Sequence, residues 1–327
     1  ADQIPTALFE KTCRIYIIAC GTAMHAGLVG KRLIETLAGI PVEVDVASEF
    51  RYRQPVFLPG DLAIIISQSG ETADSLAALR LAKEEGVPTL SIVNVVGSSI
   101  ARESDYVLYT YAGPEIAVAS TKAYTVQLAA MDLLGLSFAM SRGMEQEKIR
   151  LLVESLCRIP DALREILADA TQLQQIAAHF QNTEDLFFIG RGLDYAVSQE
   201  GSLKLKEISY VHSEAYAAGE LKHGTISLVT EGVPVVAIAT QKPVYEKMVG
   251  NIKEVRTRGA SVLLLCQKGS EHASELADFV VELPAMEDLF FPSLTVLPLQ
   301  LFAYYMAVLR GCDVDQPRNL AKSVTVE

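Results

Sequence analysis

The chain is poor in the features that mark metalloproteins, membrane proteins and nucleic-acid binders. Its five cysteines, Cys13, Cys20, Cys157, Cys266 and Cys312, lie far apart and never at metal-ligand spacing. Several fall within apolar runs, so they are expected to be reduced, buried small hydrophobes. The five histidines, His25, His179, His212, His223 and His272, include no pair at zinc-ligand spacing. Basic residues are outnumbered, with 28 Lys and Arg against 40 Asp and Glu and a formal net charge of -12. That balance argues against generic binding to nucleic acid or to an anionic membrane, while leaving room for a local anion pocket. No signal peptide is read, nor any apolar run of the roughly eighteen residues needed to cross a bilayer. A cytoplasmic protein is the expectation.

What is present begins with residues 61–72, Asp-Leu-Ala-Ile-Ile-Ile-Ser-Gln-Ser-Gly-Glu-Thr. A buried-strand pattern runs directly into hydroxyls grouped around one glycine. Ser67, Ser69 and Thr72 offer hydroxyl donors, Gly70 lets backbone approach an anion, and the helix predicted over 72–82 turns its N-terminal amides and dipole toward negative charge. The loop contains no lysine, so it is not a Walker-type nucleotide loop. A small phosphorylated metabolite fits it better. Taken alone, the same residues would also serve as an ordinary Ser/Thr-rich helix cap.

The 327 residues form an internal duplication. Gly21 matches Gly192, Gly30 matches Gly201 and Glu49 matches Glu220, each 171 residues apart. Farther on, Gly86 matches Gly259, Asp105 matches Asp278 and Gln127 matches Gln300, each 173 apart. So small a drift leaves almost no insertions. Each half alternates short apolar strands (15–19, 62–66 and 89–93; then 186–190, 233–239 and 261–266) with helical segments. The fold class is therefore α/β, as two tandem doubly wound parallel-sheet domains. The expected boundaries are 1–143 and 184–311 for the domains, 144–183 for connecting helices broken at Pro160, and 312–327 for a C-terminal tail.

Duplication also supplies an internal control, because positions that diverge between halves are candidates for work. Where the first half has Ser67-Gln68-Ser69-Gly70-Glu71-Thr72, the second has Ala239-Thr240-Gln241-Lys242-Pro243-Val244, so only the first can hold phosphate there. On the first helix of each half the difference reverses. Glu200, Lys204 and Glu207 share one face at i, i+4 and i+7, where the first half has Val29, Leu33 and Thr36. Charges at helical spacing are usually a solvated face, but the matching face reads as buried. Charges at the end of a parallel sheet are expected to perturb one another's pKa. His223 has Tyr52 as its counterpart and sits in a turn ending at Gly224, which suits a general acid or base near neutral pH. The tail has Pro317, Leu320, Val324 and Val326 with which to dock, and a docked tail could deliver Lys322 into a cleft as an amine able to form a Schiff base.

These segments together resemble one family. Ser67-Gln-Ser-Gly-Glu-Thr72, Ala119-Ser-Thr-Lys-Ala123, Lys204-Leu-Lys-Glu-Ile-Ser-Tyr210, Glu214-Ala-Tyr-Ala-Ala-Gly-Glu-Leu-Lys-His-Gly224 and the ending Asp315 to Glu327 are similar to the isomerase half of the glucosamine-6-phosphate synthases. These are also called glutamine:fructose-6-phosphate aminotransferases (isomerising), and that half consists of two sugar-isomerase (SIS) domains. The resemblance spans essentially the whole chain, with the lysine-bearing tail as its most specific part. It implies that Thr22, Ser67, Gln68, Ser69 and Thr72 hold the sugar phosphate, with Ala23 standing where the family often has a further serine. It implies that Val118, Ser120 and Ala321 line the sugar. By the same resemblance His223 opens the ring of fructose 6-phosphate, Lys322 forms an imine at C2, and Glu207 moves a proton between C1 and C2. Lys204 and Glu200 orient and balance that site.

The resemblance further implies a homodimer in which His223 comes from the neighbouring subunit, with fructose 6-phosphate, glucose 6-phosphate and glucosamine 6-phosphate as ligands. No metal or organic cofactor is expected. The family's N-terminal glutaminase domain has no counterpart in the sequence, so a separated isomerase module is expected, one that makes glucosamine 6-phosphate only when ammonia is supplied. Two other readings compete. The tail argues against a deglycase or deaminase of amino-sugar phosphates. Retention of Glu207, His223 and Lys322 together argues against a non-catalytic sugar-phosphate sensor.

Overall fold

The computed structural model describes residues 4–325, so Ala1, Asp2, Gln3, Val326 and Glu327, including one of the expected docking groups of the tail, lie outside the described residues. The chain divides into two compact units, residues 1–153 together with 321–327, and residues 154–320.

The first unit runs α1 (Thr6–Lys11), β1 (Arg14–Ala19), α2 (Gly21–Ala38), β2 (Val42–Val46), α3 (Ala47–Phe50), β3 (Asp61–Ser67), α4 (Ala73–Glu84), β4 (Thr89–Val93), α5 (Ser99–Glu103), β5 (Tyr106–Tyr109) and α6 (Lys122–Ser141). Among the described residues its strands form one five-stranded sheet in the order β2-β1-β3-β4-β5, every pair parallel. All seven residues of the central β3 are buried, as a strand covered by helices on both faces requires. One face packs Ile15, Ile17, Ile64 and Ile66 against Met131, Leu134 and Phe138 of α6. The other packs Ile18, Ala63 and Ile65 against Ala78, Leu79 and Ala82 of α4.

Helix α7 (Gln146–Cys157) carries the chain from the first unit to the second. There follow α8 (Ile159–Ala168), which has Pro160 in its first turn where no amide is needed, and α9 (Ala170–Phe180). The second unit continues with β6 (Asp185–Gly190), α10 (Leu193–Ser209), β7 (His212–Ala217), β8 (Pro234–Ala239), α11 (Tyr245–Arg256), β9 (Ser261–Gln267), α12 (Ala273–Leu276), β10 (Phe279–Leu283) and α13 (Phe291–Leu309). Its sheet has the order β10-β9-β8-β6-β7, again parallel throughout. Register makes the duplication concrete. Ile17 pairs with Ile64 across β1 and β3, and Phe188 pairs with Val236 across β6 and β8. The chain after α13 is held to the end of α10, where Arg310 donates to the Ser209 carbonyl at 3.1 Å and the Arg318 amide donates to the Tyr210 hydroxyl at 2.8 Å.

Three sequence expectations require correction. The helix α6 and the segment 288–309 are each long and apolar enough, by length and composition, to cross a membrane, with mean hydropathies of 1.3 and 1.4. Their apolar character instead follows from burial, since 67% and 61% of the respective windows are covered by the protein itself. The thiols are all free, but only Cys266 is buried; Cys20 and Cys312 are partly covered and Cys13 and Cys157 exposed. Finally, of the apolar groups expected to dock the tail, Pro317 is buried but Leu320 and Val324 are exposed, so the tail does not dock through the latter two.

Candidate active site

In the first unit β3 ends on Ser67 and α4 starts after Thr72, so the five-residue connection stands at the C-terminal end of the sheet, beside the strand-order reversal between β1 and β3. Its hydroxyls are organised by the loop itself. Ser67 Oγ lies 3.2 Å from Thr72 Oγ1 and accepts the Gly70 amide at 3.0 Å, while Ser69 Oγ accepts the Glu71 amide at 3.2 Å. Gly70 is required twice over, because its φ is +66° and a Cβ there would lie 2.0 Å from Ser98 Oγ.

The loop is also fixed from behind. The Asn94 amide donates to the Gln68 carbonyl at 3.2 Å and the Ile100 amide to the Gly70 carbonyl at 3.0 Å. Glu71 accepts the Ser99 amide at 2.8 Å, and that bond holds its carboxyl below the usual range. The one carboxylate in the loop is therefore committed to the start of α5.

The tail joins this loop within the same unit, through polar and main-chain bonds. Ser323 Oγ is 3.0 Å from Ser69 Oγ, and the Ala73 amide donates to the Val324 carbonyl at 3.1 Å. Lys322 Nζ donates to the carbonyls of Ala117 at 2.8 Å and Val118 at 3.4 Å and to Ser120 Oγ at 3.1 Å. Glu115 sets the segment that carries these acceptors. Its two carboxylate oxygens take the amides of Thr121 (3.0 Å) and Ala123 (2.9 Å) at the start of α6. Ser67, Ser69, Thr72, Val118, Ser120 and Lys322 thus belong to one bonded neighbourhood. Gln68 is half-buried in the loop and Ala321 is exposed. Thr22 stands in the first turn of α2 beside the buried Ala23.

In the second unit, α10 places Lys204 between two carboxylates. Lys204 Nζ is 3.5 Å from Glu200 Oε1 and also ion-paired with Glu207. Glu200 is fully buried and Lys204 is 2% exposed, whereas the Glu207 side chain keeps 21%. Burial, the largest effect on the ammonium, pulls its pKa down, but the two carboxylates outweigh it and leave the pKa above the ordinary lysine value. The cluster therefore combines a permanent cation with one carboxylate that reaches the surface. His223 closes an exposed 3-10 turn over Glu220–His223, ahead of Gly224 at φ +140°, and the salt bridge of Lys222 to Glu254 at 2.6 Å ties that turn to α11. Among the described residues His223 makes no hydrogen bond or ion pair with the Glu200, Lys204 and Glu207 group.

One buried carboxylate went unnoticed in the sequence. Asp194, in the first turn of α10, accepts the Thr240 amide at 2.7 Å, the Thr240 hydroxyl at 2.5 Å and the Gln241 amide at 3.3 Å. Burial pushes its pKa up to about 6; the Thr240 and Gln241 bonds oppose the rise and Asp288 adds to it. The signal that could have exposed it was the change of Ala23 to Asp194 at an offset of 171, which accompanies the loss of the loop's Ser and Thr residues.

Comparison with known proteins bears on the whole chain. The family model of the SIS domain matches residues 7–137 and again 179–310. The chain is 56% identical over 319 residues to the glutamine--fructose-6-phosphate aminotransferase [isomerizing] of Clostridium acetobutylicum, covering 97% of this chain and 52% of that protein. It is 57% identical over 319 residues to the protein of the same name from Caldanaerobacter subterraneus subsp. tengcongensis, with the same coverages of 97% and 52%. The chain thus spans about half the length of the curated relatives it matches. Among solved structures, the C-terminal domain of glucosamine-fructose-6-phosphate aminotransferase from Francisella tularensis is 43% identical with a TM-score of 0.91, over 95% of this chain and 89% of that one.

Proposed function

We propose, from the premise that the chain belongs to the SIS domain family, that it is the sugar-phosphate isomerase module of a glutamine--fructose-6-phosphate aminotransferase. It binds fructose 6-phosphate, converts the ketose to the aldose glucose 6-phosphate, and yields glucosamine 6-phosphate when ammonia is available. The relatives' names support the substrate, and the observation that carries the reading is the joining of a hydroxyl-lined loop to a lysine-bearing tail by the Ser69–Ser323 bond. An anion held at Ser67, Gln68, Ser69 and Thr72, with Thr22, fixes one end of an open-chain hexose; the chemistry then takes place at its other end. Ala23 leaves that phosphate one hydroxyl short of the family's usual set.

Val118, Ser120 and Ala321 line the sugar. Lys322 Nζ, with a hydroxyl and two carbonyls as acceptors, is held as an ammonium and must lose a proton before it attacks. The neutral amine adds to the C2 ketone and expels water, forming the imine. Ammonia, where supplied, adds to that imine and displaces the lysine amine, and Glu207 then moves a proton from C1 to C2 as the C1 hydroxyl becomes the aldehyde, leaving the amino group on C2. Without ammonia, water displaces the lysine to return the C2 ketone, and the same proton transfer through the enediol gives glucose 6-phosphate. Glu200 and Lys204 fix the orientation and charge of Glu207. His223 opens the furanose ring and is supplied by the neighbouring subunit of a homodimer; its exposure is consistent with that role. A cytoplasmic location completes the reading.

The deciding assay incubates the purified chain with fructose 6-phosphate, with and without ammonium. Glucose 6-phosphate is expected in both and glucosamine 6-phosphate only with ammonium. Tight binding with no turnover in either would replace the enzyme with a sensor.

A further inference from the structure

The two units differ at an equivalent place, where Ala23 of one helix is Asp194 in the other. Pairing of Ile17 with Ile64 in one sheet and of Phe188 with Val236 in the other puts Gln68 and Ser69 in register with Thr240 and Gln241. In the second unit the amides of Thr240 and Gln241, with the Thr240 hydroxyl, converge on the carboxylate of Asp194, a residue 2% exposed. An oxyanion thus already sits where the first unit keeps its hydroxyl-lined loop, and it is delivered by the helix position that Ala23 occupies in the first unit. Beyond it, a cavity of about 390 Å³ opens past Thr240, with Lys242, Gln267, Lys268 and Ser270 in its wall together with the carboxylates of Glu246 and Glu271. A further carboxylate beside it, Asp288, accepts from Gln267 Nε2 at 3.0 Å and from the Lys242 amide at 3.2 Å, with Lys242 Nζ 3.9 Å away.

We propose that Asp194 is a built-in anion that occupies a second oxyanion site, so that the chain takes one phosphorylated ligand instead of two and the second unit keeps its loop in the liganded form without a ligand. The donors match what a phosphate monoester accepts: two successive amides and a hydroxyl. Replacing Asp194 by alanine gives the second unit the residue of the first and exposes those donors to the cavity. This inference draws on the reading of the first unit's loop as a phosphate site, but its test does not depend on it.

The test is a count of inorganic phosphate bound per chain, by equilibrium dialysis at millimolar concentration and neutral pH, for wild type, Asp194→Ala and Asp194→Asn. The alanine variant is expected to bind one equivalent more than wild type, and to lose it again when Thr240→Val is added. Asp194→Asn, which fills the same space, is expected to gain none. A folded alanine variant with no extra equivalent overturns the proposal, as does an equal gain by the asparagine variant. If the alanine variant folds only with phosphate present, the dependence of folding on phosphate supports the proposal. If it folds under neither condition, Asp194→Ser is counted in its place and its failure to gain an equivalent is decisive. A wild type that binds none while the variant binds one would sink the first-unit reading and leave this one standing.

Discussion

Replacing Glu200 and Lys204 separates what holds the second unit together from what the unit does. Lys204→Leu leaves the Glu200 carboxylate in a site with no solvent exposure, its cation gone. Removing the cation of a buried pair costs about 3–5 kcal/mol, because the carboxylate stays out of water without its counter-charge. For a unit of this size each kcal/mol moves the melting temperature by about 2–4 °C, so a fall of about 6–20 °C is expected. The double substitution Glu200→Val with Lys204→Leu behaves differently. It copies Val29 and Leu33, which are 1% and 0% exposed in the equivalent helix of the first unit, and Glu207 can still reach water. Apolar replacement of a whole buried pair is often neutral or better, so stability is expected within about 2 kcal/mol of wild type, the small gap left by valine included. Calorimetry and urea melts of wild type, Lys204→Leu, Glu200→Val and the double variant complete the cycle, with turnover of fructose 6-phosphate measured alongside. A stable, inactive double variant is the expected result. A double variant as unstable as the single one refutes the reasoning, because the charges would then be holding the unit together in a way apolar packing cannot replace.

Lys322→Ala is expected to abolish borohydride trapping of bound fructose 6-phosphate while phosphate affinity stays within a few-fold; trapping that survives moves the imine elsewhere. Glu207→Gln should slow exchange of the substrate's C1 and C2 hydrogens with solvent by about 10²–10⁴-fold, the usual contribution of a general base, and undiminished exchange reassigns the base. Ser69→Ala and Thr72→Val each remove a hydroxyl from a charged ligand, worth about 1.5–3 kcal/mol, so titration should show affinity for fructose 6-phosphate falling by at least about tenfold; an unchanged affinity in both takes the phosphate out of this loop. The Asp194 carboxyl titrates at about 6 in the folded chain against an ordinary value of 3.8, so its contribution is most favourable below the ordinary value and is lost as pH rises through 6. The wild-type minus Asp194→Asn stability difference should therefore fall by about 2 kcal/mol between pH 4 and pH 7, and a flat difference removes the cause assigned to the shift.

The sequence exposed what depends on short-range pattern and hid what depends on distant partners. Apolar strands such as 62–66 and 89–93 were readable because a strand covered on both faces is a run of apolar residues bounded by turn residues. The charged face of α10 was readable because helical spacing links Glu200, Lys204 and Glu207 and the other half provides an apolar reference. Asp194 was hidden because its partners lie 46 and 47 residues away and a lone acidic residue in a first helical turn has an ordinary explanation as a dipole partner. Glu115 was hidden in the same way, since its bonds to Thr121 and Ala123 appear only once the chain curls back onto the start of α6. The tail was read through its apolar residues, of which Pro317 is buried, yet its last residues are held by Ser323, the Val324 carbonyl and Lys322, and single polar bonds across more than 200 residues leave no periodic trace. The internal comparison therefore did more than any motif. Its two sharpest contrasts, Val29 and Leu33 against Glu200 and Lys204, and Ala23 against Asp194, fall on one helix position set, and in the second unit both place charge in a site closed to water. A duplicated fold can bury charge in one copy at positions that stay apolar in the other, because the apolar copy shows that the fold itself does not need it.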